Sequence, residues 1–169
     1  MQKILPSLVL TLVCAVVCGL LAAANAVTKD KIAQAEAQKV QDSLTAVFGD
    51  GRTYTETSSP NEDITAVYES NDGVLIFDIT VSGYNKDGIR ALIGIAQDGT
   101  VENLGIVSIS ETAGLGTKIN DKAFLSGYIG AADAAEGPDA ITGATYSSNG
   151  LRHAVELALD AYQTMKEAA

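Results

Sequence analysis

Between Ile4 and Val27 the chain carries no charged residue, only Leu, Val, Ala, Cys, Gly and a few small polar groups. A helix crosses a hydrocarbon core of ~30 Å in about 20 residues, and this run has 24. A soluble core helix would keep a polar stripe along one side. None is visible here, so residues 1–27 read as a transmembrane anchor. Ala24-Asn25-Ala26 resembles a small-residue cleavage site, but the apolar run exceeds the about 7–15 residues of a signal-peptide core, which favours an uncleaved anchor. Lys3 on one side and Lys29, Lys31 and Lys39 on the other leave the positive-inside count undecided. An N-terminal span ahead of a large domain generally carries that domain across, so the expected location of the remainder is extracytoplasmic. Cys14 and Cys18, four apart, share one helix face. Metal or redox work inside the bilayer is one reading, and small apolar filler is the simpler one.

Beyond the anchor the chain holds 10 basic against 21 acidic residues, within a formal charge of −10 for all 169. About 140 residues suffice for one real core. The acidic excess argues against nucleic acid, whose phosphates require a basic face. One His, no Trp and two Cys give little basis for zinc fingers, haem His pairs, His-based catalysis, a disulfide framework or an iron–sulfur cluster, and no metal site is expected.

Thr28 to Phe48 reads as a helix, with Ile32, Ala35, Val40, Leu44 and Val47 at roughly helical spacing, stopped by Gly49-Asp50-Gly51. Residues 28–50 thus form a helical connector and 51–169 the domain proper. Arg52 to Asp63 is Thr-, Ser- and Pro-rich loop with room for one edge strand. Four strands follow: Thr65–Glu69, Val74–Val81, Ile89–Ala96 and Thr100–Ser110. Asn71-Asp72-Gly73 and Gln97-Asp98-Gly99 are turn signals, because Asp-Gly tolerates the positive φ of a tight hairpin. The stretch from Ser82 to Gly88, with Tyr84 inside, breaks the second run. A short helix is expected near Asp121–Leu125. The last element is amphipathic: Leu151, Ala154, Val155, Ala158, Leu159, Tyr162 and Met165 form one stripe, with Ser147, Ser148 and Asn149 expected as its N-cap. His153 falls on the polar face with Glu156 and Asp160 and reads as a surface histidine. The fold class is α+β: one N-terminal transmembrane helix, then one domain with an antiparallel sheet and flanking helices.

Two segments have the composition of a binding site. In the first, Glu111-Thr112-Ala113-Gly114-Leu115-Gly116-Thr117-Lys118, bare glycines permit close backbone approach, while Thr and Lys add donors for a phosphate or ring edge. A plain structural turn is the simpler explanation. It lacks the Gly-Lys-Ser/Thr ending of a Walker A loop and the spacing of a dinucleotide fingerprint. The second, Asp139-Ala140-Ile141-Thr142-Gly143-Ala144-Thr145-Tyr146-Ser147-Ser148, opens the final helix. Capping needs one hydroxyl, yet Thr142, Thr145, Ser147 and Ser148 gather where unpaired N–H groups and the helix dipole favour an anion. The residues alone imply an anionic cofactor docked at a helix start.

At these positions the chain resembles the FMN-binding domains found in the G component of the Rnf electron transport complex and in the C component of the sodium-pumping NADH:quinone reductase. Asp139 to Thr145 matches the flavinylation motif Asp-x-x-Ser/Thr-Gly-Ala-Thr, and Glu111 to Gly116 matches a Glu-Thr-Pro-Gly-Leu-Gly signature with Ala113 in place of proline. The resemblance implies FMN esterified through its phosphate to Thr145 by a flavin transferase that uses FAD. Thr142, Gly143, Ala144, Ser147 and Ser148 would surround the phosphate, and Glu111, Thr112, Gly114, Leu115, Gly116, Thr117 and Lys118 would lie against the ring or ribityl chain. It further implies an electron relay without substrate turnover of its own, anchored in the lipid bilayer among integral-membrane and peripheral Rnf subunits. Such complexes couple ferredoxin/NAD electron flow to Na⁺ or H⁺ transport. The chain's small size favours the Rnf type over the quinone-reductase type. A free-standing anchored flavoprotein and a ligand-binding sensory domain are the alternatives.

Overall fold

The computed structural model describes residues 5–60 and 62–168. Lys3 and Ile4 of the expected anchor, and Asn61 and Ala169 of the expected domain, lie outside the described residues. The chain divides into two units, one ending at Val40 and the other beginning at Gln41.

The first unit is helical, formed by most of α1 (Leu5–Phe48). Residues 6–39 are exposed throughout, including Leu8, Leu10, Leu12, Leu20 and Leu21. So many exposed leucines have no aqueous rationale, and the helix is long and apolar enough to cross a membrane. Cys14 and Cys18 are free and exposed on it.

The second unit takes the last turns of α1 and then a meander: β1 (Tyr54–Thr57), β2 (Ile64–Ser70), β3 (Leu75–Val81), β4 (Ile89–Ile95) and β5 (Val101–Ile109). They form one sheet in the order β1-β2-β3-β4-β5, every pair antiparallel. Two of the turns are tight because Gly73 (φ 84°) and Gly99 (φ 87°) take the left-handed conformation. Asp98 secures the second, accepting from Thr100 N at 3.0 Å and Thr100 Oγ1 at 2.7 Å. The sheet has five strands: the four that the hydrophobic pattern gives, and the edge strand for which Arg52 to Asp63 leaves room. The fifth is Tyr-Thr-Glu-Thr, a polar edge strand held by pairing Tyr54 with Ser70, and four such residues carry no alternation to detect. A 3-10 turn (Gly116–Asn120), α2 (Lys122–Ser126), a second 3-10 turn (Ala134–Glu136) and α3 (Thr145–Ala168) complete the unit.

The two faces of the sheet bury different partners. On one, Phe77, Ile79, Ile89, Ala91, Ile93 and Ile95 pack with Leu151, Ala154, Val155 and Ala158 of α3. Burial of each large side chain contributes about 1.5–3 kcal/mol. On the other, Phe48 at the end of α1 fills the space left by the missing side chain of Gly94, and Val47 does the same at Gly105. Gly49 (φ 102°) stops α1 there, its N–H reaching Thr45 O at 2.9 Å. Fully buried Asp78 lies on this second face, gripped by the Arg90 guanidinium through Nε at 2.9 Å and Nη2 at 2.7 Å.

Candidate functional site

Three segments meet at one end of the sheet: the β3–β4 connection (82–88), the chain leaving β5 (110–116), and the first turn of α3. Glu111 joins them. Its Oε2 accepts from Ser147 Oγ at 2.6 Å and from Tyr84 N at 3.0 Å, while Oε1 accepts from Asn85 N at 3.1 Å. The residue is only 7% exposed. Burial alone pushes this carboxyl up, but the hydrogen bonds from Ser147, Asn85 and Tyr84 outweigh it and hold the group below the usual glutamate range.

The space around that carboxylate exists because three glycines surround it. A Cβ on Gly88 would stand 2.4 Å from Glu111 Oε1, one on Gly83 2.9 Å from Cδ, and one on Gly116 2.7 Å from Cβ and 2.6 Å from Ser147 Oγ. Gly150 of α3 packs as closely, with its would-be Cβ 2.6 Å from Ser82 O.

α3 begins at Thr145, at least three residues earlier than its capping hydroxyls suggest. The first helical bond runs from Ser148 N to Ala144 O at 2.9 Å, so Ala144 occupies the N-cap position and Ser147, Ser148 and Asn149 lie inside the helix. A turn through Gly143 (φ 82°), closed by Ala144 N to Ile141 O at 2.8 Å, sets the helix start without a side-chain cap. The serines face inward instead, each 2% exposed: Ser147 donates to Glu111, and Ser148 Oγ accepts from Ile141 N at 3.1 Å. Thr142 and Thr145 remain exposed. Thr145, Tyr146 and Ser147 precede the first helical donor, so their N–H groups have no acceptor within the helix. The segment entering the turn is tied down by Arg152 Nη2, which donates to Pro138 O at 2.9 Å.

Between these segments lies a cleft of about 310 Å³. Of the residues singled out in the sequence, Glu111, Thr112, Leu115, Gly116, Gly143, Ala144, Thr145 and Ser147 line it. Asp139, Thr142, Gly114, Thr117, Lys118 and Ser148 do not. Thr117 Oγ1 accepts from Gly114 N at 2.9 Å, bracing its own loop, and Lys118 is exposed. Gly114 (φ 74°) serves the turn itself, with open space where a Cβ would be. Two further lining residues, Tyr84 and Tyr146, are assigned no role from the sequence, although Tyr146 stands within the Asp139 to Ser148 segment. They are 70% and 72% exposed, with ring centroids 6.3 Å apart in an edge-to-face arrangement. A tyrosine inside the strand break and one beside the helix start were the available signals. Among the described residues, no group of three or more His, Cys, Asp or Glu could hold a metal ion.

The site therefore offers unpaired helix-start N–H groups for an anion, an exposed threonine hydroxyl beside them, and an aromatic and leucine rim suited to a flat ring. That combination fits FMN, phosphate and isoalloxazine together. Comparison with known families agrees: the FMN-binding domain matches residues 83–160, and the RnfG N-terminal region matches residues 5–47. No curated protein matches the chain.

Proposed function

We propose that this chain, an RnfG-like FMN-binding protein, carries its FMN as a phosphoester on Thr145 and relays electrons within a membrane-bound, ion-translocating Rnf-type complex. The observation that carries the reading is the position of Thr145: first residue of α3, exposed, and part of the cleft wall. In the attachment step the Thr145 hydroxyl displaces AMP from FAD, with a flavin transferase as catalyst. The N–H groups of the first turn then stabilise the charge left on the phosphate. Gly143 and Ala144 keep side-chain bulk away from it. Tyr84, Tyr146 and Leu115 give the ring an apolar seat. Bound FMN supplies reversible electron transfer, and the protein supplies tethering, orientation and field.

The apolar part of α1 anchors the chain among integral-membrane subunits, with the flavin domain on the extracytoplasmic side. Covalent attachment suits that side, where unattached FMN would be lost by dilution. Intact mass after co-expression with a flavin transferase tests the reading. A flavin-sized adduct on wild type, absent from Thr145→Ala, is expected. An adduct that persists in Thr145→Ala moves the attachment elsewhere. Co-purification with integral-membrane partners separates a complex subunit from a free-standing flavoprotein, and sidedness follows from protease access in sealed vesicles.

A further inference from the structure

Glu111 is the one formally charged side chain among the cleft's lining residues. Three donors converge on it, two backbone N–H groups and the Ser147 hydroxyl. A carboxylate accepts only, whereas a protonated carboxyl would aim a hydrogen at one of those donors. The geometry therefore selects the ionised form. No ion pair among the described residues includes Glu111. Its charge is met by dipoles and not by a cation, so a full unit of negative charge stands in the wall. Gly83, Gly88 and Gly116 leave room for the carboxylate there, since a Cβ on any of them would crowd Glu111.

Resting on the reading that FMN occupies this cleft, we infer that Glu111 sets the flavin's reduction potential, holding it lower than a neutral side chain at the same position would. Reduction adds negative charge to the ring, and a buried carboxylate nearby opposes that addition. Glu111 is part of the wall of the cleft of about 310 Å³, so a ring seated there would lie beside it. The positive end of α3 acts in the opposite direction on the phosphate, so one short junction both attracts the anionic tether and resists electron uptake by the ring. The family signature that begins at Glu111 thus includes a field-setting group as well as a backbone bend. Ser147 moderates it: its hydroxyl donates its hydrogen bond to the carboxylate, so Ser147 is a positioning residue for Glu111 and does not offer that donor to the phosphate.

Anaerobic redox titration of the full chain, loaded by co-expression with a flavin transferase, tests the inference, with intact mass reporting loading for each protein. Glu111→Gln shifts the potential positive. Ser147→Ala keeps the charge but removes a donor, and shifts it negative. A positive shift in Glu111→Gln with an unchanged or negative one in Ser147→Ala supports the inference. No shift or a negative one in Glu111→Gln, or positive shifts in both variants, overturns it in favour of a purely mechanical clasp. Should Glu111→Gln fail to load, Ser147→Ala decides: a negative shift supports, anything else overturns. A wild-type chain without flavin sinks the cofactor reading itself, and this inference with it, before any titration begins.

Discussion

The Glu111 carboxylate and the Ser147 hydroxyl, 36 residues apart in sequence, are joined by a buried 2.6 Å hydrogen bond. That bond ties the end of β5 to the start of α3. Through Tyr84 N and Asn85 N the same carboxylate holds the β3–β4 connection. A single side chain thus closes the junction from which Thr145 projects.

Removing the charge should loosen that junction even without a cofactor. A glutamine amide has one acceptor oxygen and an NH₂ that donates, so in either orientation one backbone N–H faces another donor. An orphaned buried donor costs about 1–3 kcal/mol. Urea unfolding of the flavin-free chain is expected to show Glu111→Gln destabilised by about that amount. A loss below a few tenths would show that the contacts are not tight in solution.

The same group gives a pH signature. Its carboxyl titrates below the usual range when folded, so between the two values the unfolded state binds the extra proton. Stability then rises with pH across that window. The contribution is complete above the unfolded glutamate value and disappears as pH falls through the folded one. Asp72 and Asp98 are also lowered, so the difference between wild type and Glu111→Gln is the quantity to follow. That difference should shrink steadily on acidification. A constant gap would show that the carboxyl is not specially held.

Substitutions at the glycines separate steric from conformational demands. Gly116→Ala places a Cβ 2.7 Å from Glu111 Cβ, which has little freedom to retreat, and overpacking of this kind costs about 1–3 kcal/mol. Gly114→Ala meets no atom but must hold φ 74°, at roughly 1–2 kcal/mol. Asn tolerates that backbone, so Gly114→Asn should restore most of the loss, while Gly116→Asn should restore none. Equal behaviour of the two Asn variants in thermal melts would refute this distinction.

The sequence reveals most of the scaffold because the scaffold is periodic. The uncharged run of α1, the β-branched stretches of β3 and β4, the Asp-Gly turn and the apolar stripe of α3 each repeat a local rule. The edge strand β1 is too short and polar for such a rule to register. Glycines 114 and 116 look alike in sequence, and only the fold shows that one serves a turn while the other admits a carboxylate. The hydroxyls before α3 read as caps because caps are local. In fact Ser147 is engaged by Glu111 from across the domain, a long-range partner that no spacing pattern encodes. Tyr84 and Tyr146 are 62 residues apart, and their pairing arises only when the strand break meets the helix start.

Thr145→Ser tests how much the attachment reaction depends on the acceptor's shape. A primary hydroxyl forms the same ester and is less hindered, and serine keeps the turn through Gly143 intact. Loading comparable to wild type, read from in-gel flavin fluorescence of denatured protein, is expected. Complete absence of a fluorescent band would mean that the threonine methyl group orients the hydroxyl and that proximity to the helix start is not sufficient.

The two exposed tyrosines give the last test, since their rings have little to do for the fold. At 70% and 72% exposure, truncation should change stability by no more than about 0.5 kcal/mol. Tyr84→Ala also keeps the backbone N–H that Glu111 grips, and Tyr146→Ala keeps the helix start, so ester formation on Thr145 should proceed in both. What the variants lose is the apolar seat for the ring, where aromatic contacts contribute about 0.5–1.5 kcal/mol each. A tethered ring without that seat reorients faster, so steady-state fluorescence polarisation of the loaded flavin should fall in each variant and further in the pair. Polarisation equal to wild type in the double variant would place the ring outside this cleft, leaving the ester as its only attachment.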